Sequence, residues 1–153
     1  WMFHNRTLNN KINRLHERSL RLVYKNDNLS FEELLELDQS VSIHHINLQK
    51  LATEMYKVKN SISPIPVKEL FNEYSSNYNL RNKRCWETSN AKTVIYGTET
   101  ISFRGPKVWD MLPQDLKESR TLQEFRLKVK SWKPDKCDCR LCKKFIPNLG
   151  FID

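Results

Sequence analysis

The chain has 153 residues, of which 39% are hydrophobic and 29% are charged, and its formal net charge is +8 at pH 7. This length suits one domain or two very small ones, and the composition is that of a globular protein with a thin core. No run approaches the roughly 18 apolar residues of a membrane span, and the first residues lack the apolar region of a secretory signal. We therefore expect an intracellular protein without a membrane partner.

Positive charge is concentrated at the two ends of the chain. Residues 1–25 carry six Lys or Arg against one Glu, and residues 126–153 carry eight against three acidic residues. The middle of the chain is slightly acidic. This distribution favours contacts with polyanions at both ends.

The first element is an amphipathic helix, predicted from about Arg6 to Lys25. Its apolar positions are Leu8, Ile12, Leu15, Leu22 and Val23. Five cations follow the same helix in steps of three and four residues: Lys11, Arg14, Arg18, Arg21 and Lys25. At 100° per residue they fall within an arc of about 80° beside the apolar face. Such a row, with only Glu17 nearby, can follow a phosphate backbone; a solvated face without a ligand is the alternative.

Two further helices are predicted in the first 60 residues. Ser30 and Glu33 form a capping box that starts a short second helix. A third helix runs from about Ser42 to Asn60, and His44 lies on its apolar stripe, where we expect a partly buried, hydrogen-bonded histidine and not a metal ligand. The stripe of the third helix consists of Leu48, Leu51, Met55, Val58 and Ile62.

Residues 61–90 are rich in Pro, Ser, Asn and charge and are interpreted as a connector. The following module, residues 91–134, is predicted to begin with a β-hairpin, because Thr93–Tyr96 and Thr100–Phe103 are β-branched and aromatic runs joined by a short turn containing Gly97. Gly105 then ends the second strand and Pro106 starts a short helix, which Pro113 stops. Val108, Trp109 and Leu112 share one face of that helix.

The last predicted helix begins at a capping box formed by Thr121 and Glu124. Its apolar stripe is Leu122, Phe125, Val129 and Trp132. The fold class is therefore mainly α: a helical region over residues 1–60, the connector, a hairpin–helix–helix module, and a basic, cysteine-rich tail over residues 135–153.

The tail contains three clustered cysteines, Cys137, Cys139 and Cys142. In a reducing compartment such a cluster favours metal binding over disulfides, and Zn²⁺ is the expected ion. Structural zinc takes four ligands, so a fourth is required. The candidates are Cys85, then His4 or His16, then Asp138 or a group from a partner; three reduced thiols without metal are the alternative.

Three segments resemble the region that follows the polymerase core in reverse transcriptases of non-LTR, LINE-like retrotransposons. They are NKINRLHERSLRLVY in the first helix, YGTETISFRGPKVWDMLP over residues 96–113, and CDCRLCKKFI in the tail. The resemblance implies a parent protein with an endonuclease and an RNA-directed DNA polymerase upstream, acting in the nucleus and cytoplasm. The tail departs from the Cys-Cys-His-Cys knuckle of such elements, because it has three cysteines and no nearby histidine.

No catalytic constellation is found: the sequence has no phosphate-binding glycine loop, no GxSxG, no HExxH and no adjacent aspartate pair. Together with the resemblance, this absence predicts a non-catalytic chain that binds template RNA or target DNA, with the upstream reverse transcriptase core of the same polyprotein as a partner. The expected phosphate contacts, besides the five cations of the first helix, are Arg126, Lys130 and Lys133 on the last helix and Lys136, Arg140, Lys143 and Lys144 in the tail. The alternative is a docking module whose first and third helices pack on that core without binding nucleic acid.

Overall fold

The structure, a computed structural model, describes residues 6–75, 85–87, 93, 97–98 and 100–134. This part of the chain is mainly helical, as predicted. Its helices are α1 (Arg6–Tyr24), α2 (Phe31–Leu37), α3 (Ile43–Lys59), α4 (Ile65–Lys68), α5 (Ile101–Met111), α6 (Gln114–Lys117) and α7 (Leu122–Lys130). They belong to two compact units, residues 6–47 and Leu48–Pro134.

The first unit is held together by α1, α2 and the turn between them. Leu34 of α2 is fully buried and Leu20 of α1 nearly so. The His16 ring packs edge-on against Phe31 at 5.8 Å between centroids. The Tyr24 hydroxyl donates a 2.9 Å hydrogen bond to Asp38 beyond the end of α2. This unit therefore combines a small apolar core with polar contacts at its edge.

The capping box at the start of α2 is present as predicted. The Glu33 amide donates to the Ser30 hydroxyl oxygen at 3.3 Å, and the Ser30 amide donates to the Glu33 carboxylate at 2.7 Å. Both interactions satisfy amide groups that have no partner within the helix. These hydrogen bonds hold the pKa of the Glu33 carboxyl below its usual value, the contact with the Ser30 side chain contributing most and that with its backbone next.

The second unit has an aromatic core between α3 and α7. Tyr56 and Phe125 stack with ring centroids 4.4 Å apart, and both are almost completely buried. The Tyr56 hydroxyl donates a 2.7 Å hydrogen bond to the Ser119 carbonyl oxygen, so its polar end is satisfied inside the core. Gln49 donates to the carbonyl oxygens of Lys130 and Trp132 at 3.0 and 2.9 Å, which caps the end of α7.

The prediction that Thr100–Phe103 form the second strand of a hairpin is wrong. Residues Ile101–Phe103 form the first turn of α5, with Thr100 as its N-cap residue. The turn at Gly97 does exist, because the Thr100 amide donates to the Gly97 carbonyl oxygen at 3.3 Å, but it leads into a helix. Residues 94–96, the rest of the predicted first strand, lie outside the described residues. Among those described, the strand-like pairing is a single antiparallel bridge between Glu73 and Trp86.

Gly105 and Pro106 also lie inside α5 and do not mark its start. A Cβ atom at Gly105 would lie 2.5 Å from the Met55 sulfur and 3.0 Å from Phe71. Glycine is therefore needed here for close packing of α5 against these side chains. Pro106 is also buried, and burial of its ring offsets the backbone hydrogen bond that proline cannot donate within α5.

Several predicted faces are confirmed. Val108, Trp109 and Leu112 are all buried, as are Phe125, Val129 and Trp132 of the last stripe. The stripe of α3 is buried over Leu48, Leu51, Met55 and Val58, whereas Ile62 lies beyond the helix and is exposed. His44 is buried, as predicted. Pro113 ends α5 and serves as the N-cap residue of the short helix α6, which the sequence analysis did not predict.

No helix among the described residues is long and apolar enough to cross a membrane.

Candidate nucleic-acid interface

The first helix places its predicted cations on an exposed face. Lys11, Arg14 and Arg18 are exposed. The side of α1 that packs inward carries Leu20 and, in part, His16. Because a helix turns by 100° per residue, these two residues lie opposite the row of cations. The row therefore faces away from the small core of its own unit.

The five predicted cations are not equivalent. The Arg21 guanidinium lies 2.8 Å from the Glu17 carboxylate and also donates a 2.6 Å hydrogen bond to the Asp27 carbonyl oxygen. Its charge is already compensated, and its geometry is fixed by two partners. Lys11, Arg14, Arg18 and Lys25 have no acidic partner among the described residues. Four of the five cations are thus available to an anion from outside.

Lys25 departs from the predicted helix. α1 ends at Tyr24, and Lys25 adopts a left-handed backbone conformation with φ of 49°. This conformation is frequent in the residue that follows a helix, although it is costly for residues other than glycine. Lys25 nevertheless stays close to the row, because it lines the same groove as Arg18 and Arg21.

Two open grooves follow the row of cations. The larger one, of about 500 Å³, is lined by Arg18, Arg21, Leu22, Lys25 and Asp27. The smaller one, of about 270 Å³, is lined by Thr7, Asn10, Lys11 and Arg14. Each groove thus brings at least two cations together. Several neighbouring cations suit a chain of phosphates better than a single buried anion.

Most of the predicted apolar residues of α1 are exposed and do not form a buried stripe. Leu8 is 48% exposed, Leu15 61% and Leu22 79%, and Val23 is also exposed. The apolar face of α1 lies where the periodicity predicts it. The side of the helix that packs inward is a different one, and it is mostly polar. The first helix thus exposes a row of cations and an adjacent row of leucines.

The predicted cations at the other end of the chain lie on and after α7. Arg126 and Lys130 are exposed on this helix. Lys133 is exposed too, but it follows the helix, which ends at Lys130. Lys128, which is not part of the predicted set, is paired with Glu124 at 2.7 Å. The prediction of a basic face on the last helix therefore applies to Arg126 and Lys130.

The predicted metal ligands are only partly described. Cys137, Cys139, Cys142, His4 and Asp138 lie outside the described residues, as do Lys136, Arg140, Lys143 and Lys144. Cys85 is half-buried, and its carbonyl oxygen accepts a 3.1 Å hydrogen bond from the Tyr74 amide. His16 packs against Phe31, and its Nδ1 atom is buried without a hydrogen-bond partner.

Comparison of the chain with protein-family models, with curated proteins and with solved structures finds no match.

Proposed function

We propose that this chain binds nucleic acid through the phosphate backbone, as a non-catalytic part of a retrotransposon reverse transcriptase. The observation that carries the proposal is the exposed row of Lys11, Arg14, Arg18 and Lys25, which lacks acidic partners in the described part of the chain. Cations that are exposed and uncompensated release counterions when they meet phosphates, and this release drives binding.

RNA or DNA strands suit this surface better than a small anion. The row extends over two separate grooves, and Lys11 and Arg18 are about 10 Å apart along the helix axis at 1.5 Å per residue. Its members are Lys and Arg, with no aromatic side chain among them on which a base could stack. The contacts are therefore with phosphates, and we expect little selectivity for base sequence.

The tail belongs to the same proposal. Cys137, Cys139 and Cys142 would hold a Zn²⁺ ion with one further ligand, and Cys85 is the first candidate for it. Bound zinc would fix the tail so that Lys136, Arg140, Lys143 and Lys144 reach the same strand. This part of the proposal rests on the spacing of the cysteines and on lysines that favour thiolates.

The experiment is a titration of a labelled RNA hairpin with the full chain at several salt concentrations. Four engaged phosphates predict a slope of log K against log salt between about −2.8 and −3.6. Arg18→Gln should reduce the slope by about 0.7 to 0.9, whereas Arg21→Gln should change it less, because Glu17 already compensates that charge. Lys50→Gln, an exposed cation of α3, is the charge-matched control.

Two results would contradict the proposal. One is affinity that does not depend on salt, and the other is an equal effect of Arg18→Gln and Lys50→Gln. The same titration with a zinc chelator tests the tail separately: affinity that is insensitive to the chelator would leave binding to α1 in place and remove zinc from the proposal.

The exposed leucines of α1 favour a second function, that of a docking module for another protein segment. Docking through both the first and the third helix would need an exposed apolar face on each. Leu48, Leu51, Met55 and Val58 of α3 are buried inside the second unit, so of these two helices α1 is the one with an exposed apolar face.

A further inference from the structure

We infer that α1 is the docking site for an acidic amphipathic helix of a partner protein, which pairs with it as in a two-stranded coiled coil. The inference does not depend on nucleic-acid binding. It rests on the spacing, the exposure and the charge of the residues on the outer face of α1.

The exposed leucines repeat at an interval of seven residues. Leu8, Leu15 and Leu22 follow one another at this spacing and are 48%, 61% and 79% exposed. At 100° per residue they lie within an arc of about 40°. Ile12 and the 69% exposed Val23 lie beside this row, so the apolar face of α1 spans about 100° with the leucines along one edge. The seven-residue repeat of the leucines is the spacing at which one helix packs along another in a coiled coil.

The neighbouring positions agree with this register. If the leucines occupy position d of the heptad, Ile12 and Ser19 occupy position a. Ile12 is the β-branched residue that favours two-stranded pairing with leucine at d, whereas Ser19 places one polar side chain in the seam. Position g is then basic in each heptad. The three residues at position g are Lys11, Arg18 and Lys25, the last just beyond the helix end.

Charge selects the kind of partner. In coiled coils, residues at positions e and g form ion pairs across the interface and determine which helices pair. Lys11, Arg18 and Lys25 are exposed and have no acidic partner among the described residues. A helix with Glu at the facing positions would compensate these charges while its apolar residues cover the leucines.

A second copy of this chain fits less well. In an antiparallel pair the two basic rows would face each other and repel. In a parallel pair position g faces position e of the other helix, which is Asn9, His16 or Val23 here, so no ion pair forms. The face of α1 is thus not complementary to itself.

A membrane surface or a nucleic acid fits the row of leucines less well. Helices that lie in a membrane interface often carry Trp or Phe on the apolar face, and α1 has neither. A nucleic acid would contact the cations and leave Leu8 and Leu15 exposed to water. Partner helix and nucleic acid would therefore compete for Lys11 and Arg18.

The test uses the full chain and a labelled synthetic peptide of about four heptads, with Ile at a, Leu at d and Glu at e and g. Saturable binding is expected, and a peptide of the same composition in scrambled order should bind at least about tenfold more weakly. Leu8→Gln with Leu15→Gln, two leucines that line neither groove, should also weaken binding at least about tenfold, since tenfold is only about 1.4 kcal/mol and each buried leucine contributes more. Leu127→Gln, on the 64% exposed leucine of α7, is the matched control.

The leucine double variant also separates this inference from the proposed function. It should leave the salt dependence of RNA binding unchanged, whereas Lys11→Gln with Arg18→Gln should weaken both peptide and RNA. Peptide binding that is indifferent to the leucine variant, or equal for the scrambled peptide, would overturn the inference. The inference would also be overturned if the chain self-associated in sedimentation, adsorbed to vesicles of anionic lipid or bound RNA, and the leucine variant abolished that behaviour.

Discussion

The outer face of α1 and the core of the second unit both carry apolar side chains, but one exposes them and the other buries them. Tyr56 and Phe125 are buried and stacked, and the Tyr56 hydroxyl, the one polar side-chain group of this pair, is hydrogen-bonded. Leu15 and Leu22 of α1 are mostly exposed beside cations. Burial in the second unit stabilises the fold, whereas the exposed leucines of α1 contribute little to it. Substitutions at the two places should therefore differ in their effect on stability.

The largest difference should appear at Phe125. Phe125→Ala removes a fully buried ring that stacks on Tyr56 and leaves a cavity, which should lower the free energy of unfolding by about 3–5 kcal/mol. Leu22→Ala on α1 should change it by no more than about 0.5 kcal/mol, because its side chain is already exposed. Urea unfolding monitored by circular dichroism measures both. A large loss at Leu22 would show that α1 is packed and not a free surface.

A smaller effect is expected where the second unit is most closely packed. Gly105→Val places a side chain against the Met55 sulfur and Phe71 and should cost about 1–3 kcal/mol through overpacking. If this contact is the cause, Met55→Ala combined with Gly105→Val should be less destabilising than the sum of the two single substitutions, since the removed side chain leaves room. Additive losses in the same unfolding experiment would assign the effect to the backbone instead.

The sequence was sufficient where local signals and packing agree. The capping box of Ser30 and Glu33 and the burial of Phe125 and Val129 on α7 appear as predicted. Lys11, Arg14 and Arg18 are exposed on α1 at the predicted spacing. Each depends on spacing within one helix, which a sequence displays directly.

It was insufficient where packing decides between alternatives. The run from Thr100 to Phe103 has the composition of a strand, yet it begins a helix because α5 buries Val108 and Trp109. For the same reason Gly105 and Pro106 lie within that helix. The two sides of α1 present a similar problem: periodicity shows that the helix is amphipathic, but only the position of Leu20 and Phe31 shows which side packs inward.

The smallest effect concerns the polar contacts of the first unit and is best measured against pH. Hydrogen bonds from Ser30 lower the pKa of Glu33 in the folded chain. A carboxyl group with a lowered pKa stabilises the fold above its unfolded pKa, and this contribution is lost as the pH falls through the folded value. Glu33→Gln should therefore reduce the dependence of unfolding on pH below about 4.5, near the usual pKa of Glu.

Ser30→Ala removes the other half of the capping box and should cost about 1 kcal/mol at neutral pH. It should also bring the pKa of Glu33 back toward its usual value, which carboxyl NMR signals can follow in the full chain. Ser19→Ala, at an exposed serine of α1 whose hydroxyl bonds only the preceding turn, is the control. An unchanged Glu33 pKa in the Ser30 variant would mean that the surrounding charges, and not the cap, set its titration. The stability of the first unit would then depend less on its polar edge than on the burial of Leu20 and Leu34, as the stability of the second unit depends on its buried aromatic core.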